Sequence, residues 1–356
     1  MEFKNNNFDL IRLLAAFQVA VFHSMEIMGV KLGEIGSEIV KFTFLFPGVP
    51  IFFFISGYLI SRSFENNHDL LEYTRNRILR LYPGLMVCVG LSFVFIYASG
   101  YMQVANASLL DWILLYLGKV SFLQFYNPDF MRAYGDGVLN GSLWTIAVEI
   151  QFYIALPIVF FILMRLSKEK INILLGVTTL LFFIVYLTFK SVPQSEFGQL
   201  YYKLFRVSFI PWFFMFMVGV MFQKNFEFFY KHLANRFVII FPIYCLIAYY
   251  LAFDQGFELG NKIDPVLFLL LAITVFSFAY SMQGLSNKLL KRNDISYGVY
   301  IYHMPVVNIL IYTGFKEDIY YSFGAMILTV VLAITSWKLI EKPCLGFKRH
   351  AFNPVK

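Results

Sequence analysis

The chain consists largely of apolar runs about twenty residues long. Hydrophobic residues make up 59% of its 356 residues, and charged residues make up only 14%. A soluble domain carries about 25% charged residues because its surface faces water. A helix that crosses the hydrocarbon of a bilayer needs about 20 mainly apolar residues. The sequence therefore predicts an all-α, polytopic integral membrane protein and excludes soluble, coiled-coil, collagen-like and disordered classes.

About ten segments are long and apolar enough to be transmembrane helices. They are 8–28, 43–61, 82–99, 143–164, 171–189, 204–223, 237–253, 265–283, 295–315 and 320–339. A weaker candidate, 109–127, contains Asp111 and Lys119. We predict that it does not span, and leave open whether it is re-entrant or interfacial.

The charge balance predicts the orientation. There are 29 Lys and Arg residues against 22 Asp and Glu, a net charge of +7. Cytoplasmic loops of membrane proteins collect Lys and Arg. With ten helices and a cytoplasmic N-terminus, most basic residues fall on the cytoplasmic side. If 109–127 also crossed, four later basic clusters would move outside. We therefore expect both termini in the cytoplasm, and the positive charge indicates topology, not nucleic-acid binding.

One transmembrane domain is expected over 1–345, followed by a short cytoplasmic tail at 346–356. Its main extracytoplasmic loop, about 100–142, is rich in aromatic and turn residues. Long loops of this kind usually pack or bind something. The three cysteines show no spacing typical of a disulfide framework or of a metal site, so no metal is predicted.

The first helix carries two ionisable residues, Arg12 and His23. Eleven residues on an α-helix return to within about 20° of the same face, with a rise of roughly 16 Å. Arg12 then lies near the cytoplasmic entry and His23 in the outer half of the bilayer. Ionisable residues inside a membrane are usually functional. The alternative is that Arg12 snorkels to the cytoplasm and His23 only packs.

Glu149 lies at a depth that matches His23. It is about six residues, or roughly 9 Å, inside the outer end of the fourth predicted helix. A carboxylate at that depth needs a partner. We expect Glu149 to pair with His23 and orient its ring, which makes His23 a better general base.

Two further intramembrane positions admit two interpretations each. His303 precedes Pro305, whose missing N–H frees a backbone carbonyl, so His303 has either a hydrogen-bonding role in a cavity wall or a chemical one. Ser56 and Gly57 provide either an acyl acceptor or close helix packing by small residues, and packing is favoured.

A basic cluster, Arg75, Arg77 and Arg80, precedes Pro83 on the predicted cytoplasmic side. It reflects either the bias of cytoplasmic loops towards positive charge or a phosphate-binding set below Arg12.

These features occur in order along almost the whole chain. They are Phe8-Asp9-Leu10-Ile11-Arg12 with His23, Phe52 to Ile60 (FFFISGYLI), Arg77 to Pro83 (RILRLYP), Ser142 to Tyr153 (SLWTIAVEIQFY), Ser296-Tyr297-Gly298 with His303, and Glu341-Lys342-Pro343. In this respect the chain resembles the membrane acyltransferase family 3, bacterial O-acyltransferases that modify surface polysaccharides. It departs from the family at Ile150, where a second Glu is frequent, so Glu149 is the only acid there. It resembles the standalone type.

The resemblance implies a multi-pass enzyme of the bacterial inner membrane. Its partners would be a cytoplasmic acyl-CoA, usually acetyl-CoA, as co-substrate, a glycan or glycolipid acceptor, and membrane lipids. No permanently bound cofactor and no nucleic acid are implied. The CoA phosphates are expected at Arg12, Arg77 and Arg80. An extended pantetheine arm, on the order of 15–20 Å, matches the rise from Arg12 to His23.

The expected reaction is transfer of an acyl group, acetyl first, to a sugar hydroxyl, with His23 and Glu149 catalytic. Direct transfer and an acyl-His23 intermediate both remain open. Cavity or acceptor contacts are predicted at Ser142, Trp144, Tyr153 and His303.

Two other functions are alternatives to acyl transfer. A glycan or lipid transporter or flippase would usually show paired repeats, and none is evident. A membrane interaction protein without chemistry leaves the intramembrane charges unexplained.

Overall fold

The computed structural model describes residues 6–66, 69–167, 169–191 and 199–347. Within these residues the chain forms helices joined by turns and bends, with no strand. The all-α prediction is therefore confirmed. In chain order the helices are α1 (Phe8–Ile27), α2 (Glu34–Phe44), α3 (Gly48–Asn66), α4 (Leu70–Ala98), α5 (Tyr101–Val104), α6 (Leu109–Val120), α7 (Trp144–Leu166), α8 (Ile171–Ser191), α9 (Gln199–Arg206), α10 (Phe213–Lys224), α11 (Phe226–Leu233), α12 (Phe237–Tyr249), α13 (Pro265–Ala279), α14 (Leu285–Leu290), α15 (Ser296–Tyr312), α16 (Ile319–Ser336) and α17 (Lys342–Gly346).

Seven helical stretches in the described chain are long and apolar enough to cross a membrane, which makes this a polytopic membrane protein. They are Phe8–Ile27, Glu34–Asn66, Leu70–Ala98, Gly141–Leu166, Ile171–Ser191, Phe237–Asp254 and Ile319–Gly346. Ile210–Lys224 and Pro265–Ala279 are shorter apolar helices. Each of the ten predicted segments overlaps a helix, but 204–223 is interrupted, since α9 ends at Arg206 and α10 begins only at Phe213. The number of spans, ten, and the cytoplasmic position of both termini stay predictions.

The weak candidate 109–127 contains only the short helix α6. Twelve residues extend about 18 Å, less than the hydrocarbon thickness. One face exposes Leu110 and Leu117, and the other buries Trp112 and Leu115. Ser108 caps the helix, and Asp111 closes a reciprocal capping box. Helix α6 is therefore amphipathic and too short to span, and the choice between a re-entrant and an interfacial segment stays open.

The described residues form two compact units, each built from three stretches of the chain. The first unit comprises Met1–Ala15, Lys41–His68 and Val148–Arg292, and the second comprises Ala16–Val40, Asp69–Ala147 and Asn293–Lys356. Helices α1, α2 and α7 contribute residues to both. The prediction of one domain over 1–345 stays a prediction, and the predicted tail lies, beyond residue 347, outside the described residues.

In the first unit, α3 and α10 cross at two glycines. A Cβ built on Gly57 would lie 1.9 Å from the carbonyl oxygen of Phe216. A Cβ on Gly219 would lie 2.1 Å from that of Phe54. Small residues allow such close approach of two membrane helices. The interpretation of Gly57 as a packing residue therefore agrees with the structure.

Before α1, a buried asparagine holds the start of that helix to other parts of the first unit. The backbone N–H of Asn7 donates to the carbonyl of Ala279 (2.9 Å), and its side-chain amide donates to the carbonyl of Ser281 (2.7 Å). Its side-chain oxygen accepts from the N–H of Ser286 (2.9 Å). These three bonds fix the entry of the helix that carries Arg12.

In the second unit, α4 and α16 pack against the first turns of α15. A Cβ on Gly298 would lie 2.9 Å from the Cα of Ala333, so α15 and α16 are also in close contact. The hydroxyl of Tyr297 donates to the carbonyl of Leu81 in α4 (2.9 Å). Helix α15 is therefore held on two sides, and it carries His303.

Candidate active site

The two intramembrane histidines of the second unit contact each other. Nδ1 of His23, on α1, lies 3.0 Å from Nε2 of His303, on α15. The ring centroids are 5.2 Å apart and the planes are inclined by 33°. His303 is completely buried, whereas His23 keeps partial exposure. His23 is therefore the member of the pair that a substrate can reach.

The proline after His303 has the predicted effect on the backbone. Pro305 has no N–H to donate to the carbonyl of Ile301 one turn earlier. Two side chains take its place: the amide of Asn140 donates to that carbonyl at 2.9 Å, and the thiol of Cys88 at 3.2 Å. The freed carbonyl thus ties α15 to α4 and to the loop before α7.

The loop before α7 runs alongside α15 for two helical turns and is hydrogen-bonded to it. The side-chain amide of Asn308 donates to the carbonyls of Val138 (2.8 Å) and Leu139 (3.1 Å), and its oxygen accepts from the N–H of Asp136 (2.9 Å). Gly135 has a φ of +58° and passes so close to Asn308 that a Cβ would lie 2.4 Å from the side-chain oxygen. The loop is therefore fitted to α15.

Two of the predicted cavity residues lie at the start of α7. Ser142 is buried, and its hydroxyl donates to the side-chain oxygen of Asn140 (2.7 Å). Nearby, the hydroxyls of Thr145 and Tyr300 are 2.6 Å apart. Trp144 is half-buried. The hydrogen bond of Ser142 therefore holds the turn before α7, and the contact of Thr145 with Tyr300 links α7 to α15.

The carboxyl group of Glu149, in the first unit, receives two hydrogen bonds at the same oxygen. The hydroxyl of Tyr153, one turn further along α7, donates to Oε1, and so does the hydroxyl of Ser56 on α3, at 3.2 Å. Glu149 is half-buried, and Tyr153 is buried. Tyr153 was predicted as a cavity residue, and the structure gives it a specific partner.

The structure thus shows His303 as the partner of His23, and Tyr153 and Ser56 as partners of Glu149. The pairing of His23 with Glu149 stays a prediction. The polar contacts of His303, Ser56 and Tyr153 were not assigned from the sequence. Of these three residues, only His303 was given a hydrogen-bonding role from the sequence, because it is a histidine in an apolar run close to a proline.

The three predicted donor-binding arginines have distinct surroundings. Arg12 is half-buried on α1. The guanidinium of Arg77 lies 5.7 Å from the ring centroid of Tyr73 on the same helix. Arg80 forms an ion pair with Asp294, and both side chains are nearly buried.

Asp294 was missed by the sequence reasoning because an acid in a predicted cytoplasmic turn is common. Its carboxyl oxygen Oδ1 accepts from the backbone N–H of Ser296, the first residue of α15, at 3.2 Å. The same carboxyl group holds Arg80 of α4 through Oδ2. The basic cluster and the helix of His303 are therefore linked by one side chain.

The model of a protein family described as acyltransferase domain matches residues 5–338 of this chain. The chain belongs to this acyltransferase family. The resemblance predicted from the sequence is confirmed, and the protein is an enzyme, an acyltransferase.

Three relatives of this acyltransferase illustrate the breadth of the similarity. Nodulation protein 10 of Rhizobium leguminosarum bv. viciae is 28% identical over 353 residues, which cover 96% of this chain and 94% of that protein. The O-acetyl transferase of Shigella phage Sf6 is 27% identical over 349 residues, covering 95% and 96%. The O-acetyltransferase OatA of Staphylococcus aureus (strain NCTC 8325 / PS 47) is 24% identical over 339 residues, covering 87% of this chain and 55% of OatA. No solved structure matches the chain.

Proposed function

We propose that this acyltransferase moves an acetyl group from acetyl-CoA to a hydroxyl of a cell-surface glycan, as an O-acetyltransferase of a bacterial inner membrane. The observation that supports it most is the contact of His23 with His303, which holds a partly exposed imidazole in a chain of this family. Two of the relatives are named for O-acetyl transfer. Other acyl groups and glycolipid acceptors suit the same chemistry.

The proposed step uses His23 as a general base. Nε2 of His23 accepts the proton of the acceptor hydroxyl while its oxygen attacks the thioester carbonyl carbon. The new C–O bond forms, the C–S bond breaks, and the imidazolium returns the proton to the CoA thiolate. The products are the acetyl ester and CoA with a free thiol, so protons and electrons balance without a further reactant.

In this proposal Arg12, Arg77 and Arg80 are the candidates for contacts to the CoA phosphates, because guanidinium groups bind phosphate oxygens with charge-assisted hydrogen bonds. Glu149 is the proposed carboxylate that stabilises and orients the imidazolium formed when Nε2 of His23 takes the proton, since Nδ1 of His23 already contacts His303. Its hydrogen bonds from Tyr153 and Ser56 support that role, because they fix the position of one carboxyl oxygen.

The test is transfer of label from acetyl-CoA, radiolabelled in the acetyl group, to an extracted surface glycan by the purified protein in liposomes. We expect ester-linked label with the parent protein and a loss of at least about a hundredfold with His23→Ala. The matched control is His232→Ala, which removes an exposed imidazole on α11 and should leave the rate unchanged.

Transfer by His23→Ala at the parent rate would remove His23 from the mechanism. If the parent protein moves glycan across the liposome membrane without consuming acetyl-CoA, it is a transporter and the proposal fails. For the donor site, Arg12→Ala should raise the KM for acetyl-CoA about tenfold or more, since it removes a charged phosphate contact.

A further inference from the structure

The contact between His23 and His303 admits two proton arrangements. In a neutral pair, one of the two facing nitrogens carries hydrogen and the other accepts it. Either His23 donates from Nδ1, which leaves its Nε2 unprotonated, or His303 donates from Nε2, which places the remaining hydrogen of His23 on its own Nε2. Only the first arrangement gives His23 a free basic nitrogen at Nε2.

The surroundings of His303 select between them. Its other nitrogen, Nδ1, is buried and has no hydrogen-bond partner within normal distance among the described atoms. The backbone carbonyls of Val299 and Tyr300, one turn earlier on α15, are the hydrogen-bond acceptors that act on the ring. Carbonyl oxygens only accept. A bare Nδ1 would face them without any donor, which is the costlier arrangement.

We propose that His303 is a positioning residue that keeps the proton of His23 on Nδ1 and so presents the lone pair of Nε2 to the acceptor hydroxyl. With hydrogen on its own Nδ1, His303 accepts at Nε2 from His23. The inference rests on the proposed function for its catalytic consequence. It extends that function by giving the base a defined tautomer.

The structure holds His303 firmly enough for this role. One turn of α15 is tied by Asn140 and Cys88 at the carbonyl of Ile301, two residues before His303. The ring of Tyr300 meets the imidazole edge to face, with centroids 6.0 Å apart, and its hydroxyl is fixed by Thr145. When His23 takes a proton at Nε2, its Nδ1–H keeps the same acceptor, so no ring has to turn.

The kinetic test compares two substitutions at the same position. His303→Gln places a side-chain oxygen, an acceptor, near the site of Nε2, whereas His303→Phe fills similar space without one. We expect His303→Phe to lower kcat by about 10²- to 10⁴-fold while KM for donor and acceptor stays within about threefold. His303→Gln should recover at least about tenfold of that loss.

Thermal midpoints of both variants in detergent control for folding. A His303→Phe protein that folds and keeps the parent kcat overturns the proposal. So does a loss that appears only in KM, or a folded His303→Gln protein that is no better than His303→Phe.

A second measurement needs no turnover. In ¹⁵N-histidine-labelled protein, long-range ¹H–¹⁵N spectra distinguish protonated from bare ring nitrogens, with His23→Gln used for assignment and His232→Gln as the control for an exposed ring. We expect His23 with hydrogen on Nδ1 and a bare Nε2. The reversed tautomer overturns the inference. If the expected tautomer is found but the parent protein transfers no acetyl group, the proposed function fails while the assignment of His303 stands.

Discussion

At the scale of single residues, the polar groups within the membrane helices are held by neutral donors and acceptors as well as by counter-charges. Glu149 accepts hydroxyl hydrogen bonds from Tyr153 and Ser56 at a single oxygen. A carboxyl group held by two hydroxyl donors keeps its position independently of any further group that it contacts.

Tyr153→Phe tests this arrangement. The variant keeps the buried ring and removes only the hydroxyl donor to Glu149. A hydrogen bond of this kind contributes about 1–3 kcal/mol, so we expect acyl transfer to fall roughly fivefold to a hundredfold in kcat/KM. The control is Tyr186→Phe, which removes a buried hydroxyl from the carbonyl of Ile263 and should leave the rate unchanged. Full activity in Tyr153→Phe would contradict a role for this hydrogen bond.

The sequence predicted which residues of the site to examine, but only part of their contacts. Charged and imidazole side chains in apolar runs are visible in the sequence, and His23, Glu149 and His303 were found in that way. Their partners are not visible, because His23 and His303 are 280 positions apart. The replacement donors for the carbonyl of Ile301 come from loops and helices that only the fold brings together.

At the scale of elements, close helix contacts depend on glycines at defined positions. Gly57→Ala should destabilise the protein severely, because the added Cβ would overlap the carbonyl oxygen of Phe216 on α10. Overpacking of a buried contact costs about 1–3 kcal/mol or more. We expect a loss of monodisperse protein in size-exclusion chromatography and a lower thermal midpoint.

The matched control is Gly176→Ala on α8, where an added Cβ would meet nothing within 4 Å. This variant should fold as the parent does, or slightly better, since alanine favours a helix over glycine by about 1 kcal/mol. Equal stability of the Gly57 and Gly176 variants would mean that α3 and α10 are not in close contact.

Helix α6 carries a buried lysine that predicts a pH dependence of stability. The ammonium group of Lys119 donates to the carbonyl of Gln124 (2.7 Å) and to the side-chain oxygen of Asn127 (2.8 Å). Burial lowers the pKa of Lys119 from 10.5 to about 7. Between these values the unfolded chain holds a proton that the folded protein has lost, so the free energy of unfolding rises with pH.

We therefore expect the thermal midpoint to rise between about pH 7 and pH 9.5. From this residue alone, the free energy of unfolding should increase by at most about 1.4 kcal/mol per pH unit. Lys119→Met should flatten the profile in that range, whereas Lys203→Met, at an exposed lysine, should not. An identical slope in the parent and in Lys119→Met would show that the amine keeps its ordinary pKa when the protein is folded.

The existence of the elements was predictable, and their detailed bounds were less so. Each predicted span overlaps a helix because twenty apolar residues have few alternatives in a membrane, but the break between α9 and α10 inside 204–223 was not predicted. Two short π-helical turns, Tyr250–Asp254 and Trp337–Glu341, extend α12 and α16 without a break that the sequence reveals. Which segments belong to which of the two compact units depends on packing between residues far apart in the chain, and the apolar content of the sequence does not predict that packing.

At the scale of the whole molecule, the distribution of basic residues predicts which side of the membrane each loop faces. Ten crossings place the loop before α7 outside and the turn after α14 in the cytoplasm. An eleventh crossing at 109–127 would move every later cytoplasmic cluster outside. Accessibility of two exposed positions separates these topologies, Ala133 in the loop and Lys288 in α14.

The experiment introduces Ala133→Cys and Lys288→Cys singly into a variant in which Cys88, Cys245 and Cys344 are replaced by serine. Serine at position 88 keeps a donor for the carbonyl of Ile301. With a membrane-impermeant maleimide, we expect labelling of Ala133→Cys in intact spheroplasts, and of Lys288→Cys only in inverted vesicles. Labelling of Lys288→Cys from outside would show that 109–127 crosses the bilayer. The donor arginines Arg77 and Arg80, which precede that segment, would stay cytoplasmic, but α15 would be inverted, so the orientation of His303 in the membrane would have to be assigned anew.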